Sequence, residues 1–262
     1  MHEATISTDW TQFLSAMVLV LLRLSGLMVF APVFSSQAIP TQTKAMLALT
    51  MSFLLTPVVA AFPLAHATLG IQSIFGELGV GLLYGLSLAL LNELLTFAGQ
   101  VIGVQFSFSL VNLLDPNSQT QNPLMGQLFS LFGGMVILAA GLHRTLIASV
   151  IRSFAAAPLG TVFMDRRPAT ALVGMAGGIF LAALQLAAPV LAATLLVELT
   201  ISLLGRLSPQ LPTLALTVPA KTLLGYVVLI GSLALWPRFI EARFSALLDA
   251  AELLVQHCVV RS

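Results

Sequence analysis

Charged residues are scarce in this sequence. Lysine, arginine, aspartate and glutamate make up 8% of its 262 residues, whereas soluble domains carry about 25%. So few charges could not cover a soluble fold of this length, because a large apolar patch would then face water. We therefore predict an integral membrane protein, with lipid or other protein around much of the chain.

Patterns that bind metals or catalyse reactions are also missing. A single cysteine, Cys258, excludes an intrachain disulfide, and the four histidines lie far apart in the sequence. No H-E-x-x-H, G-x-S-x-G or Walker sequence occurs. We therefore expect no enzyme, no metal and no cofactor. The net charge of +1 comes without a basic stripe, which disfavours nucleic acid as a partner.

Long apolar segments are what the sequence has instead. Hydrophobic residues make up 58% of the chain, and a spanning helix needs about 20 consecutive, mostly apolar residues. The first segment follows ten residues without lysine or arginine, so we interpret it as a retained helix and not as a secretory signal. No linker divides the chain, which predicts one domain. The segments predict six to eight spans: 11–34, 45–62, 71–92, 94–114, 124–142, 145–163, 171–204 and 222–236.

Two of these regions need a more specific interpretation. Segment 171–204 is too long for one span, and Pro189 near its middle predicts a kink or a helical hairpin. Beyond Pro237, charged and apolar residues alternate at helical spacing. This predicts an amphipathic C-terminal helix suited to a membrane surface or a partner.

Small residues recur inside the apolar segments. Such residues let helix backbones approach closely in membranes. We therefore predict close helix packing at two glycine clusters, which are Gly76, Gly79, Gly81 and Gly85 in one segment and Gly174, Gly177 and Gly178 in another.

Four charges stand inside apolar segments: Arg23, Glu77, Glu93 and Glu198. Ionisable residues at membrane depth mark functional sites by default, but they also need partners for purely structural reasons. The sequence gives no partner for any of them, so both interpretations stay open.

The stretch 100–127 is the most unusual part of the chain. Phe106 and Phe108 precede a turn that is rich in uncharged polar residues. Irregular backbone at membrane depth is tolerated only where it is buried in protein or lines a water-filled cavity. The stretch is therefore either a loop that hangs into a pore or an ordinary surface loop between two helices.

The order and spacing of several short motifs resemble the FliR family, which are flagellar type III export-gate proteins with an injectisome counterpart called SctT. An R-x-x-G…A-P-V-F…I-P…K pattern lies at Arg23, Gly26, Ala31, Pro32, Ile39, Pro40 and Lys44. A central pattern lies at Gly99, Ile102, Gly103, Gln105, Ser109, Asp115, Pro116, Ser118 and Pro123. Later matches are Ser153, Phe154, Pro158, Gly160, Arg206, Pro209, Gln210, Leu211 and Pro219. One departure is Leu142, which separates Gly141 from His143 where the family has Gly-His.

The resemblance implies an all-α, polytopic membrane protein built from helical hairpins. Similar proteins look like a fused FliP and FliQ unit, which would give a FliP-like part at 1–170 and a FliQ-like part at 171–262. The implied partners are FliP-like and FliQ-like subunits, an FlhB-like subunit and the exported protein substrates. The implied location is the bacterial inner membrane, within the flagellar basal body.

The resemblance also implies roles for particular residues. The loop after Gln105 looks like the family's pore plug, with Phe106, Phe108, Leu110 and Val111 as the obstructing residues and Asp115, Pro116 and Asn117 in the following turn. Apolar side chains can close a constriction by dewetting it. Apart from the resemblance, the charges themselves make Arg23, Glu77, Glu198 and Arg206 candidates for buried-charge or assembly roles. The alternative functions are a small-solute secondary transporter or channel, and an injectisome export-gate subunit.

Overall fold

The chain is helical throughout most of its length. A computed structural model describes residues 2–31, 40–62, 68–106, 124–162, 167–208, 210 and 212–257, without the side chains of 2–9, 167–169, 214 and 257. Eight α-helices lie within those residues. They are α1 (His2–Phe30), α2 (Thr41–Ala60), α3 (Ile71–Gln105), α4 (Leu124–Ala139), α5 (Leu142–Ala156), α6 (Arg167–Leu207), α7 (Thr213–Ser232) and α8 (Trp236–His257), with a 3-10 turn Leu233–Leu235 before α8.

Several of these helices are long and apolar enough to cross a membrane. Five candidate spans lie in the described residues, and the count is six if α4 and α5, bent by 72° at their junction, form one broken span. An all-α membrane protein is therefore confirmed, and the five or six spans among the described residues lie at or just below the lower end of the predicted six to eight. The five are Trp10–Phe30, Thr41–Ala60, Ile71–Gln105, Thr170–Leu207 and Ala215–Gln256.

Two predicted breaks are wrong. Segment 71–92 and residues 94–105 of the next segment are joined in one helix, α3, because Asn92 and Glu93 are both tolerated inside a helix and no proline separates them. The predicted hairpin in 171–204 is also absent, since α6 runs on through Pro189 for 41 residues. At 1.5 Å per residue α6 is about 60 Å long, whereas the hydrocarbon core is about 30 Å thick. Part of α6 must therefore lie outside the hydrocarbon.

The amphipathic C-terminal helix is confirmed as α8. One face of α8 is buried at four-residue and three-residue intervals, which places these positions on a single stripe. Charged Arg238 and Asp249 are exposed. The buried stripe is formed by Ile240, Phe244, Leu248, Ala251 and Val255.

The contacts divide the described chain into two compact units, neither of which is continuous in sequence. Unit 1 takes its residues from Met1–Leu91, Gly141–Ala176 and Arg243–Ser262. Unit 2 takes its residues from Asn92–Ala140 and Gly177–Ala242.

Glycines bring α1 and α3 into backbone contact in unit 1. A Cβ added at Gly26 would lie 2.9 Å from the Leu78 carbonyl oxygen, and one added at Gly85 would lie 2.9 Å from that of Leu27. A Cβ at Gly81 would overlap the Arg23 carbonyl oxygen. Close packing is therefore confirmed at Gly81 and Gly85.

The second glycine cluster behaves differently. A Cβ added at Gly174, Gly177 or Gly178 would meet no described atom within 4 Å. The prediction of close helix packing at this cluster is therefore wrong for the residues that the structure describes.

Unit 2 combines close helix contact with aromatic packing. A Cβ added at Gly99 of α3 would lie 2.7 Å from the Cα of Gly126 in α4. The ring of Trp236, 2% exposed, packs edge-on against Phe129 with centroids 4.5 Å apart and against Phe132 at 5.8 Å. Edge-to-face pairs of this kind stabilise beyond the area they bury, so α4 and the start of α8 are held together.

Candidate functional site

A buried ion pair joins α1 to α3 inside unit 1. Arg23 Nε donates to Oε2 of Glu77 at 2.7 Å, and Arg23 Nη2 lies 2.7 Å from the same oxygen. The side chains are 1% and 0% exposed. Charges this deeply buried persist only where the partner and the surrounding hydrogen bonds replace water.

The end of α5 and the turn after it supply those hydrogen bonds. Arg23 Nη1 donates to Ser153 Oγ at 3.2 Å, and Nη2 donates to the Ala157 carbonyl oxygen at 2.9 Å. The guanidinium also stacks over the Phe154 ring, 4.1 Å from its centroid, a favourable cation–π arrangement. The guanidinium is therefore satisfied from three directions.

The carboxylate of Glu77 is satisfied from the same turn. The Gly160 backbone N–H donates to Oε1 at 3.0 Å, which leaves Oε2 to the guanidinium. Gly160 has a φ of 76°, a left-handed conformation that glycine adopts without a steric cost. The P-L-G sequence therefore shapes the turn that carries the N–H to the carboxylate.

A more exposed polar cluster connects α5 with α8 in unit 1. Ser149 Oγ donates to Glu252 Oε1, and Arg152 Nη2 donates to the same oxygen at 3.0 Å. Arg152 is 62% exposed and Glu252 is 26% exposed. Screening by solvent makes such a pair far weaker than the buried one.

The hairpin of α6 and α7 carries the other predicted charges, within unit 2. Glu198 of α6 accepts from Nζ of Lys221 in α7. Arg206 is exposed in the last turn of α6 and lines a groove between the two helices. Glu93, also in unit 2, is exposed.

The one plug residue within the described range is Phe106, directly after α3. Its side chain is 4% exposed, and its ring packs on Tyr226 of α7 with centroids 4.6 Å apart. A Cβ added at Gly225 would overlap this ring, so a glycine at 225 makes room for it. Phe108, Leu110, Val111, Asp115, Pro116 and Asn117 lie outside the described residues.

The sequence singled out the charges but not their partners. From the sequence we did not predict that the Gly160 N–H would donate to Glu77 or that the Ala157 carbonyl would accept from Arg23. We also did not predict that Lys221 would pair with Glu198. The P-L-G turn is the signal that could have located the first two. Among the described residues no three His, Cys, Asp or Glu side chains are grouped to hold a metal ion. The chemistry of these clusters is ion pairing and hydrogen bonding between helices, typical of a polytopic α-helical membrane protein with paired internal charges.

Comparison with known proteins identifies the family. Residues 14–247 match the model of the bacterial export proteins, family 1. The chain is 26% identical to the flagellar biosynthetic protein FliR of Escherichia coli (strain K12), over 93% of this chain and 94% of that protein. Identity to the FliR of Caulobacter vibrioides is 28%, over 88% and 93% of the two chains. For the FliR of Bacillus subtilis (strain 168) it is 26%, over 82% and 85%.

The chain belongs to the bacterial export proteins of family 1, the FliR family. The family membership and the long apolar helices together identify the chain as a multi-pass protein of the bacterial inner membrane.

Proposed function

We propose that this chain is a core subunit of the flagellar type III protein export gate, forming part of the channel through which unfolded flagellar substrates leave the cell. The observation that carries the proposal is the family match over residues 14–247. Relatives that align with nearly the whole chain are named flagellar biosynthetic proteins, which favours the flagellar apparatus over the injectisome.

The proposed gate is a complex of several subunits. Its other members are FliP-like and FliQ-like subunits, with an FlhB-like subunit beside them. Residues 1–170 form the FliP-like part of this chain and residues 171–262 the FliQ-like part. The exposed apolar side chains of α6 and α7 form a surface that can face lipid or another subunit of this complex. They include Leu195, Leu196, Leu199, Leu203, Leu223, Val227 and Ile230.

The pore plug begins at Phe106 in this proposal. Packing of Phe106 on Tyr226 anchors the start of the segment, and Phe108, Leu110 and Val111 obstruct the pore beyond the anchor. Apolar side chains seal a constriction by dewetting and yield without breaking strong polar contacts. Such a seal opens for a substrate and closes behind it.

A small-solute transporter is the less favoured function. Transporters use intramembrane charges to couple ion and solute movement. Here Arg23 and Glu77 satisfy one another and the turn after α5, and Glu198 is paired with Lys221. These charges fit roles in holding helices together better than roles in binding a solute.

The direct test is removal of the gene from its host. Loss of the protein should abolish swimming and the appearance of flagellar filament and hook proteins in the medium, and a plasmid copy should restore both. The matched control is a copy carrying Arg238→Ala, a change at an exposed position, which should restore motility fully. Normal motility and secretion in the deletion strain would contradict the proposal.

A further inference from the structure

A polar groove lies at the closed end of the α6–α7 hairpin, within unit 2. Its cavity is about 460 Å³. A Cβ added at Gly205 would lie 2.6 Å from Thr213 Cγ2, so the absence of a side chain at 205 lets Thr213 approach α6 closely at this groove. The lining residues are Glu198, Ile201, Ser202, Gly205, Arg206, Thr213 and Thr217.

The charge of this groove is positive. Glu198 is neutralised by Lys221, whose side chain is nearly buried. Arg206 has no acidic partner among the residues that the structure describes. The guanidinium offers five N–H donors in a planar fork that fits phosphate oxygens. The groove therefore presents one uncompensated cation.

Hydroxyl groups flank this cation. Thr217 Oγ1 donates to the Thr213 carbonyl oxygen at 2.7 Å, so its proton is already used. Ser202 and Thr213 also line the groove, and a hydroxyl can donate to a phosphate oxygen. A phosphate can accept several such bonds at once, which suits a site with an arginine and two hydroxyls.

The surroundings of the groove also suit a lipid headgroup. It lies beside the ends of two helices that are long and apolar enough to cross a membrane, and basic pockets between such helices bind anionic headgroups where they meet the membrane surface. Leu203, Leu207 and Leu216 beside it are 53%, 81% and 46% exposed. These leucines offer an apolar surface on which acyl chains can lie.

We propose that this groove binds the phosphate of an anionic phospholipid, with Arg206 as its ion-pair partner and Ser202 and Thr213 as hydrogen-bond donors. The proposal does not rest on the export function, since it is argued from the charge and hydroxyl groups of the groove and from the exposed leucines beside it. It gives Arg206 a lipid partner instead of a carboxylate of a neighbouring subunit.

The test uses the full-length protein, purified in mild detergent with whatever subunits accompany it and then stripped of lipid. Dioleoylphosphatidylglycerol or dioleoylphosphatidylcholine is added in mixed micelles, and the thermal unfolding midpoint is followed. Phosphatidylglycerol should raise the midpoint of the wild type more than phosphatidylcholine does. Arg206→Ala should need about tenfold more phosphatidylglycerol for the same rise, as expected for loss of one charge-assisted contact.

Arg238→Ala is the matched control, because Arg238 is an exposed arginine of unit 2 away from the groove. It should respond to phosphatidylglycerol as the wild type does. Gly205→Val is a second variant, which keeps the arginine but forces a side chain against Thr213, a lining residue, and it should also lose the response. An equal response of the wild type, Arg206→Ala and Gly205→Val would overturn the proposal.

Two further measurements separate the possible sources of the anion. Inorganic phosphate at the same concentration should not raise the midpoint, and an equal rise would show that acyl chains are not recognised, which contradicts a lipid site. Native mass spectrometry should find phosphatidylglycerol retained by the wild type and lost from Arg206→Ala. Loss of a co-purifying subunit from Arg206→Ala with lipid retention unchanged would assign Arg206 to a protein carboxylate and overturn the lipid proposal.

Discussion

Arg23 and Glu77 form a buried ion pair in which Nε of the guanidinium lies 2.7 Å from Oε2 of the carboxylate. The pair joins α1 to α3, and its remaining hydrogen bonds reach Ser153, Ala157 and Gly160 at the end of α5. Three segments that are distant in sequence therefore meet at two side chains. If these helices separated and water filled the space between them, Arg23 and Glu77 would lose these protein partners.

Removal of one member of this pair should destabilise the protein strongly. Glu77→Ala leaves a buried guanidinium without its counter-charge, which costs about 3–5 kcal/mol. We expect a correspondingly lower unfolding midpoint in mild detergent, or no recovery of folded protein. Glu93→Ala is the matched control, because Glu93 is an exposed carboxylate of the same helix, and it should cost little.

Removal of both charges should be less harmful than removal of one. Replacement of a buried pair by apolar residues of similar volume is often nearly neutral. Arg23→Met with Glu77→Met should therefore be more stable than Glu77→Ala alone. A double variant less stable than the single one would mean that the bonds to the turn after α5, and not the ion pair, hold these helices.

Arg152 provides a comparison at the protein surface. It pairs with Glu252 at 3.0 Å but is 62% exposed, and exposed pairs contribute at most about 1 kcal/mol. Arg152→Ala should therefore lower the free energy of unfolding far less than Arg23→Ala. Chemical denaturation of both variants in the same detergent tests this order, and equal losses would contradict the importance of burial.

The two glycine clusters should respond in opposite ways to alanine. Gly81→Ala would push a methyl group into the α1 backbone and should cost about 1–3 kcal/mol through overpacking. Gly178→Ala meets no described atom within 4 Å and should be neutral or stabilising by up to about 1 kcal/mol, since alanine favours helix. Unfolding midpoints of the isolated protein measure both, and a loss at Gly178 equal to that at Gly81 would contradict the contact geometry.

The apolar and helical character of the chain was predictable from the sequence, because it depends on local composition. The amphipathic α8 follows from helical periodicity. The partners of Arg23 and Glu198 could not be predicted, because the spacing of 54 residues from Arg23 to Glu77 follows no local period. The choice between a kink and a hairpin at Pro189 could not be made from the sequence, because a proline lowers helix stability without necessarily ending a helix in a membrane protein.

The plug proposal predicts an ion leak. Deletion of residues 107–122 with a short glycine–serine replacement keeps Phe106 on Tyr226 and removes the obstructing side chains. Cells carrying this variant should show raised ion conductance across the inner membrane and slower growth while the complex still assembles. A replacement of equal length that keeps Phe108, Leu110 and Val111 is the control and should remain tight. Unchanged conductance with an intact complex would exclude a plug in this segment.

Purification of the tagged protein from its native host in mild detergent, with mass spectrometry of the co-purifying proteins, tests the central claim most directly. The proposed export-gate function, which rests on the family membership, predicts one large particle that contains FliP-like and FliQ-like subunits. A stable monomer or homodimer without these subunits would contradict the export-gate function and favour an autonomous transporter.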